Sequence, residues 1–250
     1  MRRIRIIPVL LLDKGGLYKT VRFKNPNYVG DPINAVKIFN EKEADELLLL
    51  DFRATADKRK IDFSKITEIA SEAFMPMAYG GGVTKLDEAK KVFDCGYEKI
   101  VLNSILFENN SLVENIAAIY GAQAVVGCMD VKKNIFGKNQ VYTHSGKNKT
   151  GYSPLDWASK LEEFGVGEII INNIDKDGTW DGYNLEIIAA VSSRVKVPVI
   201  SCGGAGSIDD FRNAVDAGAS AVAAGSMFVY QKKGMGVLIS FPSTLKLQSE

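Results

Sequence analysis

A chain of 250 residues, 46% hydrophobic and 24% charged, can bury one large core, and it is read as a single domain over 1–250. Thirty-one basic against 30 acidic residues leave a net charge of +1, which removes any global electrostatic case for nucleic acid or a membrane surface. Cys95, Cys128 and Cys202 stand far apart with no CxxC pair, which argues against a disulfide framework or a zinc site and fits a reducing cytoplasm.

The amino-terminal MRRIRIIPVLLLDKGG is basic and then apolar, as a leader would be, but Pro8 interrupts the run and no small-residue cleavage site follows. It reads as a first strand over 4–10. Further short apolar runs predict strands over 46–50, 75–79, 99–102, 124–129, 168–172, 197–201 and 219–223. They are continuous rather than alternating, as parallel strands covered by helices require. Helical spacing falls between them, most clearly over 85–95 and 208–217, with Gly96 and Gly218 as stops. Two strand-to-helix segments, 13–32 and 131–152, are too long for simple connectors and read as functional loops. The second holds five lysines and no acid between 132 and 149, a local positive field that includes the lone histidine, His144.

The chain also echoes itself. Glu46, Gly82 and Ser104 reappear as Glu168, Gly204 and Ser226, each pair 122 apart (168−46, 204−82, 226−104). Two similar halves of four strands and four helices predict a (β/α)8 TIM barrel built from duplicated half-barrels. Glycines end a strand before a helix at Gly80-Gly81-Gly82 and Gly203-Gly204, and Asn103-Ser104 and Gly225-Ser226 end the neighbouring strands. Backbone N–H groups there can approach an anion. The duplicated pair predicts two phosphate cups at one barrel mouth: Gly82, Asn103 and Ser104 in one, Gly204, Gly225 and Ser226, with Gly178, in the other. A ligand phosphorylated at both ends would fit them. Four charges at strand beginnings, Arg5, Glu46, Lys99 and Glu168, can neutralise one another as a ring at the opposite end, and taken alone they read as a structural salt-bridge cluster.

These motifs, with DELLLLDFRA, GGGV, SGKNKTG, EIIINNIDKDGT, SCGGAG and AAGSMF, resemble the cyclase subunit of imidazole glycerol phosphate synthase over residues 3–228. The resemblance implies a glutaminase partner at the amino-terminal face, ammonia passing through the barrel, and the four-charge ring as its gate. It implies no cofactor and no metal. Its catalytic set maps onto Asp130 at the end of strand 5, Lys19 in the first long segment and Asp177 after strand 6.

At the end of strand 1, where the family carries its second carboxylate, stands Leu11, and Val101 replaces a small hydroxyl residue near the first cup. Leucine cannot move a proton. Either Asp13, two residues on, takes the role in an ordinary histidine-pathway cyclase, or the barrel serves other chemistry. A branch similar to this chain is linked to acetamidino groups on nucleotide-activated sugars of bacterial surface polysaccharide (O-antigen type lipopolysaccharide), with a separate ATP-dependent amidotransferase. A non-catalytic scaffold that activates the glutaminase is the remaining alternative. Trp180, directly after IDKDGT, is a candidate ligand contact.

Overall fold

The computed structural model describes residues 3–241 and 247–248. Eight parallel strands close on themselves: β1 (Arg3–Asp13), β2 (Leu47–Asp51), β3 (Met77–Gly80), β4 (Lys99–Leu102), β5 (Val125–Lys133), β6 (Glu168–Asn173), β7 (Val199–Cys202) and β8 (Ala221–Ala224). Closure is set by the pairings Arg5 with Ala221 and Val9 with Leu48, so β1 lies between β8 and β2. Helices α1 (Pro32–Glu41), α2 (Phe63–Ala70), α3 (Leu86–Asp94), α4 (Ser111–Tyr120), α5 (Pro154–Glu163), α6 (Leu185–Arg194), α7 (Ile208–Asp216) and the short α8 (Ser226–Val229) alternate with the strands. This is the (β/α)8 barrel that the sequence predicts. No helix among the described residues is long and apolar enough to cross a membrane.

The duplication is visible residue by residue. β3 and β7, β4 and β8, and α3 and α7 begin 122 residues apart (199−77, 221−99, 208−86). Local chemistry supports the helix starts: Asp31, Asp62, Ser153 and Asn184 each cap a first turn with a side-chain oxygen, and Ser207 with Asp210 forms a reciprocal capping box.

The two long segments are ordered β-hairpins rather than irregular loops, which corrects the sequence reading. β1 runs on to Asp13, turns at Lys14-Gly15 and pairs antiparallel with Gly16–Val21, which pairs in turn with Lys24–Gly30. β5 extends to Lys133 and pairs with Asn139–Thr143. The turns Lys14-Gly15 (φ 47° and 82°) and Arg22-Phe23 (φ 53° and 59°) have positive φ at both central residues, as two-residue hairpins require. Only one of those four residues is glycine, so the turn signal is weak in the sequence.

Inside the barrel the strand period of two sorts the chemistry by height. On β1, Arg5, Ile7, Val9 and Leu11 follow one another on one face. Ile7, Val9, Leu48, Ala78, Val101, Val126, Cys128, Ile170, Cys202 and Ala223 belong to one apolar cluster, separate from the larger core between sheet and helices. Charged groups lie below this interior and polar groups above it.

Candidate functional site

At the floor, the four charges form a closed ring. Arg5 donates to Glu46 Oε2 at 2.6 Å and to Glu168 Oε1 at 2.5 Å, and Lys99 Nζ lies 3.0 Å from Glu46 Oε1 and 3.0 Å from Glu168 Oε2. Glu46 and Glu168 are buried. Burial opposes the charge on Arg5, but the two carboxylates outweigh it and its pKa is raised. Two cations and two anions cancel, which is the condition for holding four charges in a part-buried site.

At the mouth, Asp130 stands on β5 between two amides. Asn103 Nδ2 donates to its Oδ2 at 2.9 Å, and Asn172 Nδ2 to its Oδ1 at 3.1 Å. Burial pushes its pKa up to about 7, although both amides pull it down. A carboxyl group poised there can give or take a proton near neutrality. It opens into a cavity of about 400 Å3 together with Leu11, Gly82, Asn103, Ser104 and Asn172. Gly81 allows this close packing, since a Cβ on it would collide with the backbone of Asp51. The first predicted cup and Asp130 therefore share one chamber.

Asp13 does not enter that chamber. It is buried, with Oδ1 2.8 Å from Arg59 Nη2 and Oδ2 3.7 Å from Arg53 Nη1, and the same Arg59 nitrogen reaches Asp51 Oδ1 at 2.8 Å. Asp51 is a cavity-lining carboxylate that the sequence reading missed. Burial raises its pKa, with Arg59 opposing. A strand-end acid in DELLLLDFRA was the available signal. Its Arg59 partner, separated by an irregular loop, was not legible.

The second predicted cup opens elsewhere on the same end of the barrel. Lys19, Gly178 and Ser226 line a cavity of about 650 Å3, whereas Gly204 and Gly225 are not part of its lining: Gly225 packs against Lys19 Nζ and Gly204 against the Gly182 carbonyl. Lys19 is buried and donates to the carbonyl of Val9. Burial lowers its pKa to about 8, against the pull of Asp177. Asp177 lines neither cavity. It holds the first hairpin across the mouth: its Oδ2 accepts from Thr20 Oγ1 at 2.7 Å and from the Phe23 N–H at 3.1 Å, and its carbonyl accepts from the Arg22 N–H at 2.9 Å. His144 also lies outside both linings. Its backbone N–H donates to Ser104 Oγ at 2.9 Å, tying the second hairpin to the first cup.

A barrel of duplicated halves, with this motif set at its mouth, matches the family model described as histidine biosynthesis protein over residues 5–234. The chain belongs to that family. It is 48% identical to the provisionally named imidazole glycerol phosphate synthase subunit hisF2 of Pseudomonas aeruginosa, over 99% of each chain. It is 44% identical to the provisionally named subunit HisF of Leptospira borgpetersenii, over 97% of this chain and 96% of that one. Identity to imidazole glycerol phosphate synthase subunit HisF of Streptomyces avermitilis is 40%, over 90% of each. In this family member, Leu11 on β1 and Asp130 on β5 line one cavity at the mouth.

Proposed function

We propose that this HisF-like barrel delivers ammonia, released by a glutaminase docked at its amino-terminal face, to an acceptor at its mouth, and that its product is an amidine rather than an imidazole. The observation that carries the reading is the pairing of Leu11 with a sequestered Asp13. Ring closure needs proton transfer in both directions, and one of the two positions holds an aliphatic side chain. The nearest substitute is bound to Arg59 at 2.8 Å.

Amidine formation makes smaller demands. Ammonia adds to the carbon of an amide whose oxygen a separate ATP-dependent enzyme has activated. The C–O bond breaks, the oxygen leaves with its phosphoryl or adenylyl group, and a proton passes from nitrogen to Asp130 or water. An acetamidino group on a nucleotide-activated sugar for bacterial surface polysaccharide is the product class that fits. The four-charge ring would admit ammonia, and the apolar interior above it, spanning roughly 20 Å of strand from Arg5 to Leu11, would carry it uncharged. Lys19, Asp130 and the two cups would hold and protonate the acceptor, with Asp177 fixing the hairpin over it.

The second reading is an ordinary cyclase of histidine biosynthesis, favoured by Asp130 poised at about 7 and by the names of the Streptomyces relatives. Gene replacement separates the two. Under the amidine reading, the gene fails to restore growth without histidine to a cyclase-deficient strain, and deleting it in its own host removes the amidino group from the polysaccharide. Full histidine complementation with unchanged polysaccharide would establish the cyclase instead.

A further inference from the structure

The second cavity is larger than its assigned task. A phosphate group fills a small fraction of about 650 Å3, a volume in the range that holds a whole small-molecule ligand. Its wall carries two aromatic residues, Trp180 and Tyr230, and three cationic ones, Lys19, Arg22 and Lys233, against a single acid, Asp181, which pairs with Lys233.

Trp180 is held there under strain. Its φ is 66°, the left-handed region that bulky side chains avoid. Both flanks fix it. Gly206 has no side chain, and a Cβ on it would lie 2.7 Å from the Trp180 carbonyl oxygen. Asp181 is tied through its carbonyl to Lys176 Nζ at 3.0 Å and through Oδ1 to Lys233 Nζ at 3.2 Å. Trp157, in contrast, is 2% exposed and stacks on Phe107 with ring centres 3.7 Å apart. Among the described residues the Trp180 indole stacks on no other ring and its N–H has no acceptor. A half-buried aromatic residue kept in an unfavourable backbone state, lining a cavity and stacked on no ring of the fold, is suited to contact with something planar.

We propose that this cavity is a nucleotide site, in which a heteroaromatic base packs against Trp180 and Tyr230 while its phosphates lie among Lys19, Arg22 and Lys233. The ligand class is a nucleoside diphosphate or its sugar conjugate. This names the anchor of the acceptor in the function proposed above and rests on that reading for the acceptor's identity. Stacking of a base on an aromatic ring is sequence-tolerant and strong enough to matter.

Trp180 is also the reporter. The test is a fluorescence titration of the full chain with uridine diphosphate, adenosine diphosphate, glycerol 3-phosphate and inorganic phosphate, with affinities checked by equilibrium dialysis. Saturable quenching by a nucleoside diphosphate is expected, at an affinity at least tenfold above that of glycerol 3-phosphate. Trp180→Asn, which tolerates the left-handed backbone, should keep a cooperative melting transition and weaken nucleotide binding about tenfold. Tyr230→Leu supplies a second, independent variant. Equal affinity for phosphate and nucleotides, or nucleotide binding unchanged in both variants, would overturn the proposal and leave a phosphate cup. The titration needs neither ammonia nor a glutaminase, so failure of the amidine reading in the genetic test leaves its outcome unaffected.

Discussion

Replacing Asp130 by Asn should make the protein more stable at high pH and barely alter it at low pH. In the folded chain the carboxyl titrates at about 7, against an ordinary 3.8, because burial penalises its charged form more than Asn103 and Asn172 favour it. Below the unfolded value both states are protonated and the group is neutral in its effect. Between the two values the unfolded chain ionises while the folded chain keeps its proton, so the native state binds more protons and stability falls as pH rises. At ~1.36 kcal/mol per unit, the gap between 3.8 and about 7 amounts to at most ~4 kcal/mol, complete above the folded value. The variant loses this slope. Its new NH2 replaces one of the two oxygens that accept from Asn103 and Asn172, and it gains an acceptor where the Asn103 amide turns over to present Oδ1, a buried oxygen that now has no partner. Urea unfolding of both proteins from about pH 5 to about pH 8 measures the difference directly, and subtraction removes the contributions of groups they share. Two stability curves that stay parallel across that range would refute a strongly raised Asp130 and, with it, the case for this residue as the neutral-pH acid or base. If Asp130 acts as a base, ammonia-dependent activity of the native protein should rise through about pH 7, and Asp130→Asn should lose ~10²–10⁴-fold.

Leu11→Asp should raise the slow imidazole-forming rate with ammonium salts, while Asp13→Ala should lower the melting temperature and change that rate little, because Asp13 is bound to Arg59 outside the cavity. Steady-state rates with melting curves check both, and abolished turnover in a stable Asp13→Ala protein would reverse the argument. Arg5→Met leaves Glu46 and Glu168 with Lys99 alone and should lower stability in urea by about 1–3 kcal/mol, since Arg5 is partly exposed, whereas adding Glu168→Gln should recover much of the loss. Asp177→Ala removes the acceptor for Thr20 and for the Phe23 N–H, so limited trypsinolysis at Arg22 should accelerate at least tenfold, and unchanged cleavage would show that the hairpin is held by other contacts.

The sequence by itself determined the barrel. Strand runs and helical spacing depend on neighbours a few residues apart, and the 122-residue offset predicted equivalent elements that the fold then placed at equivalent positions, as with α3 and α7. It also made the charge cluster legible, because its four members stand at strand beginnings, and Asp130 through the family resemblance of its strand end. Tertiary structure decided the rest. Whether Asp13 could replace the missing acid depended on Arg59, 46 residues away, and whether 13–32 was a loop or a hairpin depended on Asp177, which receives the Phe23 N–H across 154 residues. The turn at Arg22-Phe23 carries no glycine to announce it, and the strain of two left-handed residues is tolerated because a distant carboxylate and carbonyl accept their N–H groups. Local periodicity is written between adjacent residues. The partners of a buried charge are chosen by which strand ends and loops the closed barrel brings together.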